Sequence, residues 1–550
     1  MSADRYDAIV IGSGLDELFA AARLAKAGFR VLVLERGETP GGLAATEEIL
    51  PGFRVDPVLR DAGYLPPGAL RDLELEKQGV TFLSPDPVLV APTVSGEPLV
   101  LWRDPRRSRT SIAKRSPGDA DRWVGFSERM ASFARILEAA CSRPAFRPTG
   151  SLKDLTPLLG LGWRIRSLGR EGMTELLRVV SLPAYDLLED NFEDDLLRGT
   201  LAAIAVRGIF QGPRSPGTSL VLLHHLVGSP AGVFGLRGVV RGGTGALAAA
   251  LAAAARERGV EIHCGVEVER IVIEKGRAVG VSLAGGAEIP ARAVLSGADP
   301  VHTFLDLAGT VHLDPDFVHA VRKIRFRGGC ARIDLALSEA PRFEGLADTP
   351  EGTLVIAPGL DDVERAYDDA KHGGVSARPV LEARIPSLVD PTLAPPGRHV
   401  MSIDVRFVPV GETRDAEGAM PREVLGDRVI ELLAGHAPNL PGAILERRIL
   451  TPPDLEARYG LTGGDPYQGE LALDQLLFMR PVPGWARHRT PVQRLYLCGP
   501  GTHPAGAITG ASGRHAADVI LGDLENPAAG REAPANAAAT RLPVEEVSPT

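Results

Sequence analysis

The chain has 550 residues, enough for two or three compact units, and 44% of them are hydrophobic, which is ordinary for a globular protein. Its 61 basic residues against 70 acidic ones give a net charge of −9, so overall attraction to nucleic acid is not expected. Four cysteines, Cys141, Cys264, Cys330 and Cys498, lie far apart, with no C-x-x-C pair and no cysteine–histidine ligand spacing. A redox dithiol and a zinc site are disfavoured, and no metal is expected. Asp4, Arg5 and Asp7 run straight into a strand rather than a leader, and no run approaches the ~18 apolar residues of a membrane span. A cytoplasmic location follows as the expectation.

In chain order, the apolar run Ala8-Ile9-Val10-Ile11 predicts a buried strand that breaks at Gly12-Ser13-Gly14. A helical stretch follows, then a second strand, Val31-Leu32-Val33-Leu34, tipped by Glu35. This is the outline of a dinucleotide-binding βαβ unit: glycine at 12 for the turn, glycine at 14 for close approach of a pyrophosphate to helix N–H groups, and an acid for ribose hydroxyls. The third glycine position of that fingerprint holds Glu17. Its carboxylate is expected to turn sideways and pair with Arg23 or Lys26.

A Pro/Gly/Arg-rich stretch at 85–117 precedes helical regions at about 119–141 and 152–188. Residues 219–227 are apolar nearly all round, so as a helix they would be buried or line a cavity. From Gly242 the dinucleotide-type pattern returns, with a helix at 246–258 and strands at 260–264, 266–274 and 278–283. A third patch, strand 494–499 and then a glycine-rich turn and helix at 501–521, repeats it. Between these patches, 326–337 and 380–407 are strand-rich, as in an antiparallel sheet roofed by helices. The expected division is a discontinuous cofactor domain at 1–84, 235–305 and 486–524, a substrate domain at 85–234 and 306–485, and a disordered tail at 525–550. No G-x-x-x-x-G-K-[ST], H-E-x-x-H or G-x-S-x-G occurs, so phosphoryl transfer and zinc or serine hydrolysis have no support.

Further words recur along the chain: Gly41-Gly42-Leu43-Ala44-Ala45-Thr46-Glu47-Glu48, Pro51-Gly52-Phe53, Gly212-Pro213 with Pro216-Gly217-Thr218, and Gly242-Gly243-Thr244-Gly245-Ala246-Leu247. Ser296 to Pro300, Gly469 to Gln475, and Leu495 to Pro504 with Thr509-Gly510-Ala511 complete the set. In this order they resemble the flavoprotein family of phytoene desaturases and carotenoid isomerases, and within it the pyridine nucleotide-disulfide oxidoreductase domain-containing protein 2 type.

The resemblance implies an α/β chain with a glutathione-reductase-type two-domain flavoprotein fold. That means a discontinuous Rossmann-like FAD domain and an α+β substrate domain. It implies FAD held by Gly12, Ser13, Gly14, Leu15, Glu35, Arg36, Gly41, Gly42, Leu43, Val268 and Ala298. Near the C-terminus the implied contacts are Gly499, Gly501, Thr502, Ile508, Thr509 and Gly510, with Thr509 capping a helix whose N–H groups face the flavin pyrimidine. His503 and His225 are the candidate catalytic residues, each with a bland alternative: backbone support of the turn for His503, a satisfied core position for His225.

The expected activity is FAD-dependent desaturation or double-bond isomerisation of an apolar substrate, such as a carotenoid, fatty acyl chain or other polyene, with flavin N5 as hydride acceptor. Peripheral membrane contact and oligomeric state are left open. This chain has Leu15-Asp16-Glu17 where the family type has His-Asn-Gly, Gly297 where it has Asn, and Asp61-Ala62 where it has Ser-His. The form Gly-x-Gly-Leu-x-Glu is also similar to the Rab escort and GDP-dissociation-inhibitor proteins. A flavin-vestigial lipid or partner carrier is therefore the alternative, with an amine oxidase as a further one.

Overall fold

The computed structural model describes residues 5–66, 71–145, 152–229, 233–234, 238–327, 330–410, 414–415, 418–506 and 508–525. The tail expected to be disordered lies outside them from residue 526. Strand β1 (Tyr6–Ile11) is apolar on both faces, as a strand inside a parallel sheet must be, and ends at Gly12, whose φ of +91° suits glycine. Helix α1 (Leu15–Lys26) starts directly after Gly14, and β2 (Val31–Leu34) returns parallel to β1.

Later segments complete this sheet with β5 (Glu261–His263), β6 (Val268–Glu274), β7 (Arg277–Leu283), β8 (Glu288–Ser296) and β14 (Leu495–Leu497). Its five parallel strands run β14-β8-β1-β2-β5, and the β6-β7 hairpin joins the first half of β8 antiparallel. Register places the site. Ile11 lies opposite both Leu34 and Ser296, and Ser296 opposite Leu497. Gly12, Glu35, Gly297 and Cys498 therefore emerge together at one carboxyl edge, where ligands of open α/β sheets bind.

Helices α1, α5 (Thr244–Arg256) and α6 (Ala511–Glu525) share one apolar cluster on this sheet, including Leu18, Phe19, Leu24, Leu247, Leu251 and Ile520. Each such buried side chain contributes roughly 1.5–3 kcal/mol. The alanine-rich sequence of α5 lets it approach closely: a Cβ on Gly41 would stand 2.9 Å from that of Ala248.

A second, mostly antiparallel sheet contains β3 (Leu89–Ala91), β4 (Leu99–Leu101), β9 (Cys330–Leu337), β10 (Thr353–Ile356), β11 (Leu381–Arg384), β12 (His399–Arg406) and β13 (Ile444–Leu450). Its order is β13-β9-β12-β11-β10-β3-β4. One face, with Ile333, Leu335, Leu381, Ile403 and Val405, belongs to an apolar core. A helical layer includes α2 (Pro117–Cys141), α3 (Asp195–Ala205) and α4 (Thr218–His224); α4 is buried throughout. Ser116 and Asp194 cap α2 and α3 through their side chains. Among the described residues no helix is long and apolar enough to cross a membrane.

Candidate functional site

A cavity of about 630 Å³ runs from the carboxyl edge of the parallel sheet to the inner face of the antiparallel one. At its first end the N-cap of α1 is Gly14, with no side-chain cap, so the dipole at the helix start favours an anion there. Backbone comes very close here: a Cβ on Gly42 would stand 3.3 Å from the Gly14 Cα. Glu35 ties the loops together. One of its oxygens accepts from Ser13 N at 2.9 Å and Ser13 Oγ at 2.7 Å, the other from Gly37 N at 2.7 Å. Ser13 in turn accepts from the Gly41 amide, through its carbonyl at 3.1 Å and its hydroxyl at 3.2 Å.

Of the expected cofactor residues, Gly12, Ser13, Gly14, Leu15, Glu35, Arg36, Gly41, Gly42, Leu43, Val268, Ala298, Ile508 and Thr509 line this cavity. Gly499, Gly501, Thr502 and Gly510 do not. They build the turn behind it: Thr502 Oγ1 donates to the Gly499 carbonyl at 3.0 Å, and Gly501 N donates to Gln468 Oε1 at 2.9 Å. Gly510 packs on Phe19 so closely that a Cβ would fall 2.7 Å from the ring.

Thr509 does not cap the C-terminal helix. Its hydroxyl donates to the Ala62 carbonyl at 2.7 Å and its amide to the Tyr64 carbonyl at 2.9 Å, bridging two segments of the cavity wall. The cap comes from Asp16, whose carboxylate accepts from Gly513 N at 3.1 Å in the first turn of α6. Burial pushes this acid up to about 6, with the α6 amides opposing. Asp16 is thus turned away from the α1 dipole and onto that of α6, where a carboxylate is favoured.

Glu17 does not pair with Arg23 or Lys26. Arg23 lies on Asp518 and Asp72, and Lys26 donates to the Asp72 carbonyl. Residues 14 and 17 share a helix face, so Glu17 folds back over Gly14 and into a space framed by two distant glycines. A Cβ on Gly14 would fall 2.3 Å from its Oε2, one on Gly297 2.2 Å from its Oε1, and one on Gly499 3.2 Å from Oε1. The two departures from the family pattern, Glu17 and Gly297, therefore fit one another. Cys498 Sγ donates to Glu17 Oε1 at 3.2 Å. Burial, with Asp16 adding to it, pushes Glu17 up to about 8, which favours its uncharged form.

His503 and His225 are not among the residues lining the cavity. His503 Nε2 pairs with the Arg143 carbonyl at 2.8 Å, and burial lowers its proton affinity. His225 Nε2 pairs with the Arg207 carbonyl at 2.9 Å, which positions a residue that does line the cavity.

At the far end the wall is charged, not apolar. Alternation along β9, β11 and β12 sends Ile333, Ala383 and Ile403 into the core, and Arg332, Asp334, Glu382, Arg384, Asp404 and Arg406 to the inner face. Glu382 holds Arg406 at 2.9 Å and also Arg207. Asp404 holds Arg60 at 3.2 Å and also Arg332, while Asp61 holds Arg384 at 2.8 Å. Burial pushes the Glu382 carboxyl up, but Arg207 and Arg406 outweigh it and hold it at about 2. Arg332 and Arg60 likewise hold Asp404 well below the usual carboxylate range against its burial. Sequence reasoning missed this wall, because charges at every second position of a strand have the pattern of a solvated face. The usable signal was that three strands carried it together.

The model for "Flavin containing amine oxidoreductase" matches residues 190–521, and that for an NAD(P)-binding Rossmann-like domain matches residues 10–60. The chain belongs to the flavin-containing amine oxidoreductase family. It is 36% identical to the mouse pyridine nucleotide-disulfide oxidoreductase domain-containing protein 2, over 95% of this chain and 94% of that protein. It is 26% identical to a neurosporene-forming phytoene desaturase of Rhodobacter capsulatus, over 92% of each. Its fold matches that of cyclohexylamine oxidase from Brevibacterium oxydans with a TM-score of 0.57 at 15% identity, covering 95% of this chain and 100% of that one.

The protein is therefore an FAD-dependent oxidoreductase, which sets aside the flavin-less carrier. The residues present fit FAD. The α1 N-terminus at Gly14 would take the diphosphate, Glu35 the ribose, the Gly41-Gly42 turn the phosphate and ribityl chain, and Val268 the adenine, all of them lining the cavity. The burial that favours the uncharged form of Glu17 also lessens its repulsion of a diphosphate there.

Proposed function

We propose that the protein desaturates a carbon chain, or shifts a double bond within one. Bound FAD supplies the hydride acceptor, its N5. The reading rests on one observation: a single cavity joins the dinucleotide seat to the inner face of the antiparallel sheet, so a substrate lying on that face shares an enclosure with the cofactor. The likeness to a phytoene desaturase supports carbon–hydrogen chemistry. The charged wall disfavours a cationic amine, because five arginines line it against three carboxylates, Asp61, Glu382 and Asp404, each already held by arginine. The chain's own residues bind and orient: Arg60, Arg207 and Arg332 are locked by shared carboxylates, and Thr509 fixes the wall segment at Ala62.

Anaerobic mixing of the FAD-loaded protein with saturated and unsaturated chains, and separately with aliphatic amines, tests this. Bleaching of the flavin band by the chains if they are desaturated, or a shifted double bond in the recovered chain without net bleaching if they are isomerised, is expected, and neither change with the amines. Bleaching by amines alone refutes it.

A further inference from the structure

At the antiparallel sheet five arginines, Arg60, Arg207, Arg332, Arg384 and Arg406, line the cavity with three of their carboxylate partners, Asp61, Glu382 and Asp404. Two arginines share Glu382 and two share Asp404. Asp334 is divided between Arg60 and Arg448, and Glu47 between Arg448 and Arg458. Asp61 holds Arg384 and Asp56 lies beside Arg60; Arg458 is nearly half-exposed, so the six more buried arginines of this network meet six carboxylates, three of which stand behind the cavity wall or at its edge.

A second observation points to the same place. Arg332 lines the cavity and is only 5% exposed, yet its Nε–H has no acceptor among the described residues. A buried donor short of an acceptor is unfavourable, and a carboxylate among these arginines would supply one. A guanidinium presents parallel N–H groups that match two carboxylate oxygens, which neither an alcohol nor an amine can reproduce. The cofactor diphosphate does not meet this need, since its seat is the α1 N-terminus on the other sheet.

We infer that the substrate carries a carboxylate that docks on Arg332, so that the chain acted upon is an acyl chain with a free acid end. This rests on the reading of the cavity as the substrate site.

The test titrates FAD-saturated protein by calorimetry at neutral pH with hexanoate, decanoate and palmitate, and with the matching alcohols and amines. At equal chain length the acid is expected to bind about tenfold or more tightly than the alcohol, and the amine least. Arg332→Lys keeps the charge against Asp404 but loses the planar fork. It should weaken acid binding about tenfold and leave alcohol binding within about twofold, with unchanged FAD content. Equal affinity for acid and alcohol, no measurable binding of any acid, or unchanged acid binding in Arg332→Lys overturns the inference. Binding is read without turnover, so the two readings fail separately. A preference for acids with neither flavin bleaching nor a shifted double bond in any chain sinks the proposed function alone, and turnover of neutral chains with no preference for acids sinks this inference alone.

Discussion

Replacing Glu17 with glutamine should leave the protein about as stable as wild type at pH 5 and make it more stable at pH 8. Burial, reinforced by Asp16, raises this acid from 4.5 to about 8. Between those values the native chain keeps a proton that the unfolded chain has released, so stability falls as pH rises through the window and levels off above it. At about 1.4 kcal/mol per pH unit, the gap caps the loss at about 5 kcal/mol. Glutamine fills the same space between Gly14, Gly297 and Gly499, can accept the Cys498 S–H, and carries no charge to desolvate. Asp16, raised to about 6, remains in the variant and leaves a smaller slope of the same sign. Urea midpoints followed by circular dichroism at pH 5 and pH 8 measure the difference. Parallel pH profiles for the two proteins, or a glutamine variant less stable at pH 8, would refute the reasoning. The same proton bears on the cofactor, because Glu17 Oε2 lies in the space in front of Gly14. FAD affinity should therefore weaken as pH passes about 8 in wild type and hold steady in the variant.

Gly297→Asn restores the family residue but drives a Cβ to within 2.2 Å of Glu17, so it should cost about 1–3 kcal/mol by thermal denaturation. Adding Glu17→Gly should recover most of that, and a strictly additive double variant would show that the two positions do not share space. Glu382→Gln leaves Arg207 and Arg406 buried against a neutral amide and should destabilise by about 3–5 kcal/mol at pH 7. In wild type the Glu382 contribution, present above 4.5, should fade as pH falls toward about 2, and acid titration of stability in both proteins checks this. Glu35→Ala removes three accepted hydrogen bonds at the dinucleotide turn and should weaken FAD binding about tenfold or more, measured by flavin fluorescence. His503→Asn should leave the pH profile of flavin reduction unchanged, because the imidazole is buried on the Arg143 carbonyl and off the cavity wall; a lost limb in that profile would restore His503 as a catalyst.

Local signals made the dinucleotide end legible. Gly12, Gly14 and Glu35 sit within one βαβ unit, where the turn, the helix start and the strand tip are fixed by neighbours in sequence, and all three line the cavity. The cap of α6 was not legible, since Asp16 and Gly513 are 497 residues apart and only the packing of α1 on α6 brings them together. Thr509, beside the helix start, was the nearer and mistaken choice. The charged wall was hidden differently: its alternation was visible, but alternation alone does not say whether the polar face meets water or another domain.

The sequence by itself determined the βαβ fingerprint, the return of the α/β pattern in three segments, and the family, because these depend on residue order and local backbone chemistry. Only the tertiary structure decided what Glu17 does and what the far end of the cavity looks like. Glu17 holds its proton more tightly because segments nearly 300 and 500 residues away enclose it, and the arginines of the second sheet are paired because the fold turns their face inward. Both are consequences of burial, which depends on what the rest of the chain places over a residue.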